Sequence, residues 1–347
     1  MIKIGSKIIA DNSPVFIIAE AGVNHNGSLA IAKKLVDAAK KAGADAVKFQ
    51  TFKAEQVVSG AAKLASYQKK NVKKIQNQLQ LLKKLELKLS DFVALKKYCD
   101  KKKIIFLSTP HSFEAVDQLK LLVEAFKVGS GDLTNIPLLA KIAKLGKPIF
   151  LSTGMADLKE IKQAVKVIES NGNKKIIILH CTSNYPCPSN QVNLKAMLTI
   201  KKTFSFLVGY SDHTLGRQAS VMAVVLGAKV IEKHFTLDKS LAGPDHRASA
   251  EPQELEQLVK QLRLVPEILG HAEKKPTRSE LLIKKQVRKS LVALKPIKVG
   301  DKFSVINLGI KRPGSGLPPK YFSVLLGKKA KRNITADKLI SKHDYAS

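Results

Sequence analysis

Two histidines close neighbouring apolar segments in the middle of the chain. His213 ends the segment "FLVGYSDH", and His234 lies in "VIEKHFTLD", with the helix-like stretch "RQASVMAVVLGAK" between them. Either residue could be a hydrogen-bonded structural histidine, and their spacing matches no compact metal-binding motif. If the two segments are adjacent parallel strands, however, they lie about 4.8 Å apart, and the two imidazoles could share one metal ion. The chemistry of the pair therefore depends on the fold.

Polar side chains also close the other apolar segments. Lys48 and Lys127 are flanked by apolar residues, where a lysine is seldom buried without a partner. They could belong to structural ion pairs. Alternatively, two lysines and several hydroxyls at one mouth would make a cradle for a phosphate or a carboxylate. The other polar residues at segment ends are Glu20, Asn24, His25, Gln50, Ser108, Thr109, Ser130, Asp132, Ser152, Thr153, His180, Thr182, Ser183, Tyr185 and Ser211.

The segments that must position these residues alternate regularly with helical stretches, one of them lysine-rich and ending near Lys103. Nearly continuous apolar runs of this length are typical of parallel strands covered on both faces. Eight such units predict an α/β fold with a closed (β/α)₈ TIM barrel rather than an open sheet, and no G-x-G-x-x-G follows the first run. In that fold, the polar ends converge on one mouth. The predicted strands are residues 15–22, 46–52, 104–110, 125–132, 148–154, 176–183, 206–213 and 230–238.

The pattern changes after residue 270. Residues 271–285, "HAEKKPTRSELLIKK", are polar and charged and are predicted to form a linker. Residues 286–347 contain short apolar runs broken by glycine and proline, which indicates a small β-rich domain. The chain is therefore predicted to consist of a catalytic barrel over residues 1–270, a linker and a small C-terminal domain.

Composition narrows the class of protein. The net charge is +32, but the lysines are scattered in pairs over helical segments and aromatic residues make up only 5%. This pattern predicts a solvated basic surface that attracts anionic substrates rather than a nucleic-acid site. The longest apolar runs are far shorter than the ~20 residues of a membrane span. Three irregularly spaced cysteines and an N-terminus unlike a signal peptide lead us to expect a reducing, cytoplasmic location.

Several ordered motifs together resemble the bacterial sialic acid synthases, a family that includes N-acetylneuraminate synthase and its legionaminic and pseudaminic acid relatives. The resemblance covers nearly the whole chain. It implies a TIM barrel followed by an antifreeze-like SAF domain, and a divalent metal, Mn²⁺ or Mg²⁺. The motifs are "IIAEAGVNHNGS", "AVKFQTF", "LSTP", "KVGSGD", "LSTGM", "HCTSNYP", "GYSDHTLG", "EKHFTLDKSLAGPDH" and "KRPGSG".

The resemblance also assigns roles by motif. It implies that His213 and His234 are the metal ligands and that Glu20 is the catalytic carboxylate. Arg312 resembles the arginine that the small domain inserts into the partner subunit's barrel, which implies a homodimer with exchanged C-terminal domains. The residues implied to bind phosphoenolpyruvate are Lys48, Thr109, Lys127, Ser130, Ser152 and Ser183, and those implied to contact the sugar are Gln50, Tyr185 and Asp245.

Ser211 and Asp132 complete the expected substrate site. Asp132 and His111 depart from the family pattern. Ser211 ends a strand at the mouth and is expected to contact substrate. Asp132 stands where many relatives have glutamate, and it should accept a hydrogen bond with shorter reach. His111 stands where many relatives have phenylalanine, and it places a polar ring beside the mouth.

The expected reaction is the condensation of phosphoenolpyruvate with N-acetylmannosamine or a related N-acylated amino sugar, with water consumed and phosphate released. The alternative acceptor is the 2,4-diacetamido-trideoxy hexose of legionaminic or pseudaminic acid synthases. The phosphorylated sugar of the animal enzymes fits the bacterial style of the motifs less well. Competing functions are a Schiff-base aldolase using Lys48 or Lys127, a nucleic-acid binder, and an ice-binding or structural role for the small domain.

Overall fold

The computed structural model describes residues 1–64, 75 and 77–345. The chain divides into two compact units, Met1–Gly270 and His271–Ser347. Part of the lysine-rich helical stretch predicted to end near Lys103 falls on residues 65–74 and 76, outside the described residues. Among the helices that are described, none has the length and apolar composition that a membrane span needs.

Eight parallel strands close into a barrel in the first unit, which confirms the predicted TIM barrel. Each strand pairs with its sequence neighbours, and the last strand pairs with the first. Two strands, β1 Ile2–Ile4 and β2 Lys7–Ile9, precede the barrel. The barrel strands are β3 Phe16–Gly22, β4 Ala46–Thr51, β5 Ile105–Pro110, β6 Phe126–Val128, β7 Ile149–Ser152, β8 Ile176–Cys181, β9 Leu207–Asp212 and β10 Val230–His234.

Helices cover the outside of the barrel because alternate strand residues point outward and are apolar. On β3, for example, Ile17, Ala19 and Ala21 belong to the core between strands and helices. The helices of the first unit are α1 Leu29–Lys41, α2 Ala54–Val57, α3 Gln78–Leu85, α4 Leu89–Lys102, α5 Phe113–Leu119, α6 Ile136–Lys144, α7 Leu158–Ser170, α8 Lys195–Phe204, α9 Gln218–Val225 and α10 Pro252–Leu269.

The opposite residues of each strand point into the barrel, where side-chain character changes along the axis. Apolar residues fill the lower part, including Phe16 and Ile18 of β3. The antiparallel hairpin of β1 Ile2–Ile4 and β2 Lys7–Ile9 packs Ile2, Ile4 and Ile9 onto the same cluster. The hairpin therefore closes the end of the barrel opposite the polar mouth, a role that the sequence did not predict.

The second unit has its own small core. Helix α11, Arg278–Val287, begins within the segment predicted as a linker because Thr277 and Glu280 form a capping box at its start. Strands β11 Ser290–Ala293 and β12 Leu308–Lys311 pair antiparallel, and the short helix α12 Phe322–Leu325 follows. The buried apolar residues are Leu291, Ala293, Ile297, Phe303, Leu308, Leu317, Leu325, Ala330, Ile334 and Ile340.

We predict that Gly209→Ala on β9 destabilises the barrel. A Cβ at this position would lie 2.5 Å from the Val230 carbonyl oxygen and 2.7 Å from a methyl of Leu179. Overpacking of this kind costs roughly 1–3 kcal/mol of unfolding free energy, which urea denaturation would measure. The matched control is Gly60→Ala, because no atom of the described residues beyond its chain neighbours lies within 4 Å of a Cβ placed there. Equal stability of the two variants would contradict the prediction.

Candidate active site

Inward-pointing polar residues replace apolar ones at the C-terminal ends of the barrel strands. Together they enclose a cavity of about 160 Å³. The cavity brings together most of the predicted site residues, although they come from seven strands and the loops that follow. It is lined by Glu20, Lys48, Gln50, Thr109, His111, Lys127, Gly129, Ser130, Gly131, Ser152, Cys181, Tyr185, Ser211, His213, Glu232 and His234.

Two lysines and two glutamates form a buried charge network on the floor of this cavity. The Lys48 Nζ atom lies 2.8 Å from Glu20 Oε2 and 3.7 Å from Glu232 Oε1. The Lys127 Nζ atom lies 3.2 Å from the same Glu232 oxygen. All four side chains are at most 5% exposed, so each charge depends on the others for compensation.

The network sets the protonation of its members. Burial alone would raise the pKa of Glu232, but Lys127 and Lys48 hold it at about 2. Burial would lower the pKa of Lys48, but Glu20 and Glu232 raise it above its ordinary value. Burial raises the pKa of Glu20, and Lys48 opposes the rise. A strongly cationic Lys48 is a poor nucleophile, which weighs against a Schiff-base reaction at this lysine.

The two histidines do meet. Their ring centroids are 5.6 Å apart, and the ring of Tyr185 packs 4.1 Å from that of His213. The Nδ1 atom of His213 lies 2.6 Å from the Thr182 carbonyl oxygen. In the tautomer that donates this bond Nε2 keeps its lone pair, and the Ser211 hydroxyl 3.5 Å away donates to Glu232. The Nδ1 atom of His234 is buried and has no hydrogen-bond partner among the described residues.

Both imidazoles are held neutral. Burial lowers the pKa of His213 to about 4. Burial, His213 and Lys48 together lower the pKa of His234 well below its ordinary value. Neutral imidazole is the form that binds a metal, and a ligand histidine commonly donates its second N–H to a backbone carbonyl. In the part of the chain that the structure describes, no group of three or more histidine, cysteine or acidic side chains is arranged to hold a metal. The pair therefore fits a metal that keeps several open positions.

Hydroxyl and amide groups complete the walls of the cavity. The Ser130 and Ser183 hydroxyls are 2.8 Å apart, and the buried Ser152 hydroxyl has no hydrogen-bond partner among the described residues. Lys48 donates to the Thr109 hydroxyl at 3.0 Å, and Gln50 donates to Glu20 at 3.2 Å. This mixture of cations and hydroxyls suits an anion such as phosphate or carboxylate.

Four predicted residues do not line this cavity: Asp132, Ser183, Asp245 and Arg312. The Ser183 hydroxyl contacts that of Ser130, which does line it. Asp132 accepts from Asn135 and lies 3.0 Å from Nδ1 of His111, which does line it. Asp245 is buried, and its burial together with nearby Glu20 raises its pKa to about 7. Arg312 belongs to the second unit and is exposed. The predicted roles of these residues remain predictions.

Glu232 is the functional residue that the sequence reasoning missed. Besides contacting both lysines, it accepts a hydrogen bond from Ser211 at 3.1 Å. Strand alternation could have revealed it, because Glu232 and His234 are two residues apart and so share the inner face of β10. Lys233, between them, points outward, where it contacts Asp212 at 2.9 Å and the Thr214 carbonyl oxygen at 2.6 Å.

Comparison with protein families confirms the resemblance found in the sequence. The NeuB family matches residues 35–274, and the SAF domain matches residues 288–346. The first match covers more than half of the chain, and the second falls within the small C-terminal unit. The SAF match confirms the predicted class of the C-terminal domain.

Individual relatives extend over nearly the whole chain. N,N'-diacetyllegionaminic acid synthase from Campylobacter jejuni is 52% identical, over 93% of this chain and 98% of its own length. The protein of the same name from Legionella pneumophila is 44% identical, over 96% of this chain and 95% of its own length. Among solved structures, N-acetylneuraminic acid synthetase from Leptospira borgpetersenii is 38% identical with a TM-score of 0.73, covering 81% of this chain and 94% of that one.

We predict that Glu232→Gln, which nearly preserves the shape of the side chain, strongly destabilises the barrel. The substitution removes the carboxylate charge that compensates Lys127 and Lys48. Breaking one partner of a buried ion pair typically costs ~3–5 kcal/mol. Urea denaturation of the ligand-free protein would measure the loss.

The control is Glu114→Gln, which breaks the solvent-exposed pair between Glu114 and Lys53. Exposed pairs are weak because water and salt screen them, so this variant should unfold nearly like the wild type. A Glu232→Gln protein as stable as the control would show that the network is not needed for stability.

Proposed function

The chain belongs to the NeuB family, and on this premise we propose that it condenses phosphoenolpyruvate with an N-acylated amino-sugar aldehyde to give a nine-carbon 2-keto acid. Water is consumed and phosphate is released. The observation that carries the proposal is a single cavity that combines two buried lysines and several hydroxyls with a pair of neutral histidines. The first set suits an anionic donor, and the second suits a metal beside it.

Phosphoenolpyruvate carries a carboxylate and a phosphate, which match the cationic side of the cavity. Lys127 with Ser130 and Ser152 offers one group of donors, and Lys48 with Thr109 offers another. Charge-assisted hydrogen bonds of this type are stronger than neutral ones and fix orientation. The enol carbon C3 is the nucleophile, so the protein must hold it toward the aldehyde carbon.

His213 and His234 would hold the divalent metal, using Nε2 of His213 and the Nδ1 of His234, which has no hydrogen-bond partner in the described part of the chain. The bound metal would act as a Lewis acid on the aldehyde oxygen. We favour Mn²⁺ over Mg²⁺ because Mg²⁺ prefers oxygen ligands in near-ideal octahedral geometry. Thr182 holds the ring of His213 through its carbonyl oxygen, and Tyr185 packs against the same ring.

Glu20 is the residue suited to handle the proton. Its buried carboxyl has a raised pKa, and Gln50 and Lys48 fix its two oxygens. We propose that it positions a water molecule and takes its proton as oxygen bonds to C2 of the donor. C3 bonds to C1 of the sugar aldehyde, and the aldehyde oxygen takes up the proton that Glu20 removed from water. The tetrahedral centre at C2 then expels phosphate by breaking the bond between C2 and the bridging oxygen, and the C2 hydroxyl gives its proton to the departing phosphate as the keto group forms.

The relatives favour the alternative acceptor over N-acetylmannosamine. Both named sequence relatives, at 52% and 44% identity, are N,N'-diacetyllegionaminic acid synthases, whereas the N-acetylneuraminic acid synthetase is 38% identical. We therefore propose the 2,4-diacetamido-trideoxy hexose as the acceptor. Its second acetamido group distinguishes it from N-acetylmannosamine.

A phosphate-release assay tests the reaction and the acceptor together. With phosphoenolpyruvate and Mn²⁺, we expect kcat/KM for the 2,4-diacetamido-trideoxy hexose to exceed that for N-acetylmannosamine by at least about tenfold, since a lost polar contact in a site built for it is costly. Borohydride should trap no lysine adduct. Absence of release with every sugar would refute the reaction, and a preference for N-acetylmannosamine would refute only the acceptor.

We predict that activity requires a metal held by the histidine pair. Chelation should abolish phosphate release, and added Mn²⁺ should restore it. His213→Ala should nearly abolish activity at low Mn²⁺ because a single histidine is a weak site. His271→Ala removes an exposed histidine of the second unit and should leave activity unchanged. Full activity of the chelated His213→Ala protein would exclude the metal.

We propose that Arg312 completes the active site of the partner subunit in a homodimer. The side chain is exposed in the loop "KRPGSG", which is tied to α11 because Gly314 N–H donates to the Lys285 carbonyl oxygen at 2.8 Å. The planar guanidinium is suited to clamp the acyl side of the sugar. A twofold exchange would place each arginine over the other barrel.

Subunit mixing tests this arrangement. Arg312→Ala and Glu20→Gln chains should each be nearly inactive alone, since a proton-transfer group contributes ~10²–10⁴-fold. After dissociation and reassociation, one barrel of a mixed dimer keeps Glu20 and receives a partner's intact arginine, so activity should return. If Arg312 serves its own barrel, every barrel lacks one group, and the mixture stays inactive.

A further inference from the structure

Gly154, just beyond the end of β7, lies where any side chain would overlap the serine wall of the cavity. A Cβ placed on it would be 2.2 Å from the Ser183 hydroxyl oxygen, 3.0 Å from Cys181 Sγ and 3.1 Å from the Ser130 Cβ. The backbone of Gly154 is outside the left-handed region, so its conformation does not require glycine. The residue is small because three neighbouring side chains occupy the space.

Those neighbours face the cavity or contact a residue that does. Ser130 and Cys181 line it, and the Ser183 hydroxyl is 2.8 Å from that of Ser130. Ser152, two residues before Gly154, also lines the cavity and has an unpartnered hydroxyl within the described part of the chain. The Ser183 hydroxyl, the Cys181 sulfur and the Ser130 Cβ therefore surround the position that glycine leaves open.

The backbone of the same turn is tied to β8. Thr153 donates to the Leu179 carbonyl oxygen from its backbone N–H at 3.0 Å and from its hydroxyl at 3.1 Å. The Gly154 N–H donates to Cys181 Sγ at 3.1 Å. These bonds fix the turn against β8, so the chain cannot move aside to relieve an added methyl group without losing them.

We infer that Gly154 is a positioning residue for anion recognition, because its missing side chain lets the Ser183 hydroxyl lie beside that of Ser130. The inference rests on the proposed function in one respect, since it takes the anion to be phosphoenolpyruvate. An added Cβ would displace the Ser183 hydroxyl first, because that contact is the shortest. The hydroxyl pair with Ser130 would separate, and the anion would lose donors.

Calorimetry with phosphoenolpyruvate alone tests the inference without needing turnover. We expect Gly154→Ala to raise Kd at least about tenfold, the effect of one lost hydrogen bond to a charged group. In steady-state assays, KM for phosphoenolpyruvate should rise similarly, while kcat and the acceptor KM change little. Gly60→Ala is the control. Equal Kd values for wild type and Gly154→Ala would overturn the inference.

A double-mutant cycle with Ser183→Ala separates positioning from a general loss of stability. If Gly154 acts by making room for the Ser183 hydroxyl, adding Gly154→Ala to Ser183→Ala should weaken binding by no more than about threefold. If the double variant instead raises Kd by the product of the two single-variant factors, the inference is overturned. Should Gly154→Ala fail to fold, recovery of folding in the double variant supports the overlap with Ser183, and failure of both shows a packing role alone.

The binding measurements can separate a failure of the Gly154 inference from a failure of the proposed reaction. If the wild type binds phosphoenolpyruvate but releases no phosphate with any sugar, the proposed function fails, and the comparison of Kd values still decides the role of Gly154. If the wild type does not bind phosphoenolpyruvate, both proposals fail.

Discussion

The buried charge network at the mouth of the barrel is the constraint on which the rest of the structure depends. Lys48 stands between Glu20 and Glu232, and Lys127 contacts Glu232 from β6. None of these charges could be buried alone, because an unpaired ion in a protein interior costs several kcal/mol. The strand register brings them together, since Glu20 pairs with Lys48 on one side and with His234 on the other. The strand pairings that close the barrel therefore also bring the charged residues of the site together.

The apolar lower half of the barrel sets the electrostatic conditions above it. Phe16, Ile18 and Phe150 fill the interior, and the N-terminal hairpin closes the far end with isoleucines. Water can therefore approach the network chiefly from the mouth. A medium of low polarity strengthens the ion pairs and disfavours charge on the histidines, which is why the pKa of His213 falls to about 4. The imidazoles are therefore neutral in the same cavity in which Glu20 and Glu232 raise the pKa of Lys48.

Much of this architecture could be predicted because strand periodicity is local. Eight apolar runs predicted the barrel, and His213 and His234 meet because consecutive strands are neighbours in it. Glu232 could also be predicted from the sequence, because the two-residue period of a strand places it on the same inner face as His234. The position of the hairpin of residues 2–9 at the closed end of the barrel could not be predicted, because the sequence of the hairpin does not show which surface it packs against. The contact between His111 and Asp132 depends on loop geometry, which the sequence does not encode at short range.

Under the proposed function, the balance of charges in the network means that donor binding changes the pKa of Glu20. Two ammonium groups face two carboxylates, so an incoming anion must share lysines already engaged with Glu20 and Glu232. Phosphoenolpyruvate drawing Lys48 toward itself would weaken the contact that opposes the raised pKa of Glu20, and the added negative charge would raise that pKa further. Glu232 accepts from Ser211 and contacts both lysines, so it would keep its charge and hold the lysines near the anion. Donor binding would then make Glu20 a stronger proton acceptor at the step that needs one, while the other carboxylate stays ionised.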